Sequence, residues 1–190
     1  QNRIDISCLN DKGIESYRQS VEVFCDIPKI KPRLYIAAIG VSDYAQNNFN
    51  LKYAEKDAND FINIMQTVGK RNYESIESVK YTNEQFTARS LTEIKQFFSK
   101  AKRDDVIMLF YAGHGLLDQQ MDYYLGTYNT NFADPSKSGI NYEDLEACMD
   151  SNESAHRFFF IDACHSGELD KGEYIVTSTA QVPSGTLTFR

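Results

Sequence analysis

The sequence has no apolar run approaching the roughly 18 uninterrupted residues of a membrane-spanning helix, and its opening, Gln1-Asn2-Arg3, is too polar for a secretory leader. Both absences argue against a membrane partner. It also has no Cys-x-x-Cys pair: the four cysteines stand at 8, 25, 148 and 164, a spacing that excludes a zinc ribbon or a thioredoxin-type redox site. Free, reduced thiols in the cytoplasm are expected, with Cys8, Cys25 and Cys148 packed as small buried hydrophobes. Positive charge is scarce as well, 20 Lys and Arg against 27 Asp and Glu for a net charge of -7. The short cluster Lys29-Ile30-Lys31-Pro32-Arg33 is too small to reverse that balance, so nucleic acid is excluded as a partner. Internal repeats and low-complexity stretches are lacking too. The chain does not open on Met, and Gln1 reads as a processing or cloning boundary.

With 190 residues, 42% of them hydrophobic, the chain can bury one substantial core and a small appendage. Residues 1–32 read as a β-rich extension or the end of an upstream domain. In it, strands at Arg3 to Leu9 and Ser20 to Cys25 flank the turn Asn10-Asp11-Lys12-Gly13, and Pro28 and Pro32 mark the boundary, since proline cannot join a central ladder. From residue 33 strand and helix patterns alternate. Leu34 to Val41 is a continuous apolar run suited to a strand covered on both faces, and residues 53–69 carry Ala54, Ala58, Phe61, Ile62, Met65 and Val68 on one helical face. A second strand is expected from Ser75 to Tyr81, and then a helix capped by Thr87 that bears Leu91, Ile94 and Phe98. Further strands are expected at Val106 to Tyr111 and Arg157 to Asp162. Between them the pattern predicts a small hairpin near Tyr123 to Tyr128 and a short helix opened by Asn141.

Such alternation predicts an α/β fold: a three-layer αβα sandwich whose central sheet is mostly parallel, with ligands gathering at the carboxyl ends of its strands. Two chemically loaded motifs fall there, Tyr111-Ala-Gly-His-Gly115 and Asp162-Ala-Cys-His-Ser-Gly167. Imidazole can take the proton of a thiol or lower its pKa, so His114 and Cys164 could form a nucleophile–base pair. The backbone N–H groups of Gly115 and Cys164 are candidates for an oxyanion hole. A histidine and a cysteine at strand ends are more often packing residues, and the residue types alone do not lift the pair above that reading. His165 reads as structural and His156 as a surface residue.

The two motifs, in this order and about fifty residues apart, resemble the paired histidine and cysteine motifs of the caspase and metacaspase superfamily. The form Asp-x-Cys-His-Ser-Gly resembles that of metacaspases and their bacterial relatives more than the caspase cysteine signature. Leu34 to Val41 followed by Leu51-Lys-Tyr-Ala-Glu-Lys-Asp57-Ala58 is similar to the family's first strand and helix. The resemblance implies that residues 33–190 form a caspase-like catalytic domain, an incomplete large-subunit portion. Cys164 would be its nucleophile and His114 its acid/base in peptide-bond hydrolysis through an acyl-enzyme.

It further implies cleavage after Arg or Lys, with Asp57 and Asp162 as carboxylates of the pocket that receives the guanidinium or ammonium group. Ala112 departs from the serine that many metacaspases carry in the histidine motif, which removes one polar pocket contact. Arg190 is an autocleavage candidate, and a C-terminal small-subunit portion is an expected partner beside the protein or peptide substrate. Asp118, Asp122, Glu168 and Asp170 form no recognisable ligand loop, so no metal or other cofactor is expected, although some metacaspases require calcium. Two alternatives are a non-catalytic interaction module of the same fold and a Cys–His transpeptidase.

Overall fold

A computed structural model of the chain describes residues 2–24, 31–150 and 152–163, and divides it into two compact units, Gln1–Ile30 and Lys31–Arg190. In the first unit, β1 (Asn2–Ile6) pairs antiparallel with β2 (Gln19–Val23), placing Ile4 opposite Val21. The turn is the one expected at Asn10. Gly13 takes φ +75 and donates its N–H to Asn10 O at 2.9 Å, while the Asn10 side-chain oxygen accepts from Lys12 N and Ile14 N. Every described residue of this ribbon is exposed, since two strands alone have no second layer to bury an apolar face. That corrects the expectation for Cys8, which is exposed rather than packed.

The second unit is built on β3 (Leu34–Gly40), β4 (Ile76–Thr82), β5 (Val106–Ala112) and β9 (His156–Asp162), all parallel in the order β4-β3-β5-β9. β3 is buried along its whole length, in keeping with an apolar run that lacks alternation. Even-numbered residues Leu34, Ile36, Ala38, Val106 and Met108 form one core with Ala58, Phe61, Ile62 and Met65 of α1 (Ala54–Val68). Odd-numbered Tyr35, Ala37, Ile39, Ile107, Leu109, Tyr111 and Phe159 form the other, with Ile94, Phe97 and Phe98 of α2 (Ala88–Phe98) and Leu145 of α3 (Tyr142–Glu146). Period-two strands between period-3.6 helices give the three layers, and each fully buried aliphatic side chain contributes about 1.5–3 kcal/mol.

The helix starts follow local chemistry. Thr87 closes a capping box with Ser90, and Asn141 accepts from Glu143 N at 2.8 Å. α1 has no cap of its own at Tyr53; Ser42, just beyond β3, accepts from Glu55 N at 2.8 Å instead. Between β5 and β9 the expected hairpin proves to be a three-stranded antiparallel sheet of β6 (Gly115–Leu117), β7 (Tyr123–Leu125) and β8 (Ile140–Asn141). The third strand escaped sequence reading because it spans only Ile140–Asn141, too short to show a period. Among the described residues no helix is long and apolar enough to cross a membrane.

Candidate active site

Parallel register aligns the strand ends. Thr82, Gly40, Ala112 and Asp162 lie side by side at the carboxyl edge, and the ladder extends one step further through Gly113 N donating to Asp162 O at 3.1 Å. His114 follows directly, between β5 and β6. Its imidazole is half-buried among Tyr44 at 5.0 Å, Phe132 at 5.3 Å and Phe49 at 6.3 Å between ring centroids, and Phe49 stacks on Phe132 at 3.7 Å.

The ring's Nε2 lies 2.8 Å from the carbonyl oxygen of Phe49. A carbonyl can only accept, so Nε2 carries the proton and the neutral ring keeps the lone pair on Nδ1. Burial lowers the pKa of His114 below its ordinary value, and the Phe49 carbonyl only partly offsets this by favouring the charged form. At neutral pH the residue is therefore a base.

Sequence reading missed Tyr44, Phe49 and Phe132. One signal was available: each is an aromatic in a polar, asparagine-rich loop, Tyr44 and Phe49 beside Asn47, Asn48 and Asn50, and Phe132 beside Asn129 and Asn131.

Gly115 begins β6, opposite Leu125. A Cβ there would come within 1.8 Å of the Tyr123 hydroxyl, so the glycine is demanded by the ring packed against it. Gly40 is required for a comparable reason, because a Cβ would meet Ala54 O at 2.5 Å where α1 starts across the strand end.

Asp57 is half-buried in the first turn of α1, one turn before Phe61. Phe61 stacks on Phe110 at 4.7 Å and packs on Phe160 at 5.2 Å. Asp162 is exposed and stands two residues beyond Phe160, on the face that α1 covers. The two acidic positions thus share one sheet edge and one face, with buried Ala112 aligned beside Asp162 on the neighbouring strand.

Asp118 does local work instead, its carboxylate accepting from Gln120 N and Asp122 N in the turn between β6 and β7. Among the described residues no group of three or more His, Cys, Asp or Glu is placed to hold a metal. Cys148 is buried beneath α2, its thiol pKa pushed up to about 11 chiefly by that burial, and His156 is exposed at the start of β9. Cys25, Cys164, His165, Glu168, Asp170 and Arg190 lie outside the described residues.

The model of the caspase domain of peptidase family C14 matches residues 35–186. The chain belongs to this caspase-domain family, whose members are typically cysteine peptidases. Among solved structures, the Geobacter sulfurreducens protein GSU0716 is similar in fold, with a TM-score of 0.55 and 20% identity over 72% of this chain. The chain spans about half of that protein, 52% of its length. The structure of pro-sf-caspase-1 also matches, at a TM-score of 0.45 and 15% identity over 90% of this chain and 64% of its own. No curated protein matches the sequence.

Proposed function

We propose that the chain is the large-subunit portion of a metacaspase-like cysteine endopeptidase in which His114 activates the thiol of Cys164. The observation that carries this reading is the seat of the imidazole, at the carboxyl edge of the sheet with Nε2 2.8 Å from the Phe49 carbonyl oxygen, an arrangement that makes Nδ1 the basic nitrogen of a neutral ring. Ala112 and Asp162 are register partners, and in the sequence His114 and Cys164 each follow their partner by two residues. The thiolate would attack the scissile carbonyl, the imidazolium would protonate the leaving amine, and water would hydrolyse the acyl-enzyme. The N–H groups of Gly115 and Cys164 are the proposed donors to the oxyanion.

Asp57 and Asp162 support specificity for Arg or Lys. Two carboxylates on one face can receive a guanidinium through charge-assisted hydrogen bonds and would repel an acidic side chain. Arg190 is then a substrate for the enzyme's own specificity, and a C-terminal small-subunit portion is the proposed partner. The reading needs no metal; calcium is tested directly. The experiment is hydrolysis of fluorogenic Arg, Lys and Asp peptides by wild type and Cys164→Ala, with and without calcium, in a form carrying the C-terminal portion. Cleavage after Arg and Lys that Cys164→Ala abolishes is expected. Preference for Asp would overturn the pocket assignment, and undiminished cleavage by Cys164→Ala would overturn the mechanism.

A further inference from the structure

Residues 113 and 114 lie between β5, which ends at Ala112, and β6, which starts at Gly115, so neither strand gives the His114 N–H a ladder partner. The Tyr44 hydroxyl takes that role, accepting from His114 N at 3.0 Å. On the other side of the residue, the Tyr111 hydroxyl lies 2.9 Å from His114 O and 3.0 Å from Gly126 O, and Gly126 N donates to His114 O at 2.8 Å.

Both tyrosines are almost wholly buried, Tyr44 at 1% exposure and Tyr111 at 0%. Burying a hydroxyl costs free energy unless it is bonded, and phenylalanine would fill nearly the same space without that cost. Packing alone therefore gives no reason for two tyrosines here, whereas the His114 peptide gives a reason for both. The glycine of the histidine motif fits the same device. A Cβ at Gly113 would come within 2.5 Å of the Tyr111 hydroxyl and 3.2 Å of the Tyr44 hydroxyl. Tyr44 also meets the imidazole ring to ring at 5.0 Å.

We infer that Tyr44 is a positioning residue for His114, holding it through its main chain and its ring at once, with Tyr111 bracing the opposite side of the same residue. The inference rests on the proposed dyad for its effect on turnover. Misplacing a general base lowers the rate of the chemical step without weakening substrate binding, and losing one neutral hydrogen bond corresponds to about tenfold in rate.

The test compares Tyr44→Phe, Tyr111→Phe and, as a control, Tyr142→Phe, whose hydroxyl instead donates to Glu146 at 3.2 Å. Two readouts are taken: kcat and KM on an Arg peptide, and the tautomer of the neutral His114 ring from its ¹⁵N NMR shifts, assigned with His114→Gln. The expected result is a kcat about tenfold lower with KM within about twofold in Tyr44→Phe, together with loss of the exclusive Nε2–H tautomer, and a loss of the same kind in Tyr111→Phe. Tyr142→Phe should match wild type. A wild-type tautomer and kcat in Tyr44→Phe would overturn the inference, whatever Tyr111→Phe does. If wild type cleaves no peptide, the dyad reading fails by itself, and the tautomer comparison still decides whether the tyrosines position His114.

Discussion

The two ends of the four-stranded sheet solve different problems with the same backbone. At the amino end, Asp105 is 6% exposed and its carboxylate accepts from Arg33 N, the Arg33 guanidinium and Lys102 N at 2.8–2.9 Å, tying the entrance of β3 to that of β5. Burial alone would raise the Asp105 pKa, but these donors outweigh it and leave the group below its ordinary value. Ser154 adds a hydrogen bond to Asp105 O at 2.7 Å and fastens the start of β9. At the carboxyl end the loop after β3 carries Tyr44 and Phe49, and these two aromatic residues reach across to His114, the Tyr44 hydroxyl on its N–H and the Phe49 carbonyl beside its Nε2. The amino end uses charge to close the fold; around His114 the carboxyl end uses a neutral hydroxyl and a carbonyl, which orient the imidazole without adding a charge beside it.

That contrast predicts effects that separate by edge and by kind. The largest belongs to the carboxyl end: His114→Ala should lower kcat/KM on Arg peptides by at least about 10³-fold while leaving the thermal midpoint within a few degrees. Loss of fold and activity together would erase the distinction between the two ends.

Next, Asp162→Asn and Asp57→Asn should each reduce kcat/KM for Arg peptides by about 10²-fold, mainly through KM, with little change in stability. At the amino end, Asp105→Asn should cost about 2 kcal/mol in denaturant unfolding because it weakens a buried, multiply bonded carboxylate, with kcat per folded molecule unchanged.

The smallest effect is in pH. The folded pKa of His114 is depressed, so the native state binds fewer protons than the unfolded chain below the ordinary histidine pKa. The associated stability is present above about pH 6.5 and is lost as pH falls through the folded value. Asp105 loses its contribution only in the more acidic carboxylate range. Unfolding measured from pH 8 to pH 3 should therefore show two separate declines, and His114→Gln should remove only the upper one.

Much of the architecture was legible from local pattern. Leu34 to Val41, Val106 to Tyr111 and Arg157 to Asp162 read as strands because an apolar run bounded by polar turns has few other ways to bury itself. Thr87 and Asn141 announced their helices through capping chemistry that acts within three residues. The layer between β5 and β9 was less legible, since its strands span three, three and two residues. Cys8 was misread because burial depends on what covers a residue, and no property of the cysteine itself reports that.

The candidate site divides in the same way. His114 stood out in the sequence through its glycines and its place after a strand, and Asp57 and Asp162 through the family resemblance. The seat of the imidazole did not. Tyr44 and Phe49 lie 70 and 65 residues before His114 and reach it only because parallel strands bring the loop after β3 beside the loop after β5. By itself the sequence determined the long strands and helices of the main sheet, and that the histidine motif sits at a strand end, since both depend on neighbours a few positions apart. Only the tertiary structure decided which ring nitrogen holds the proton and which hydroxyls grip the histidine, because those bonds join loops that meet in space and not along the chain.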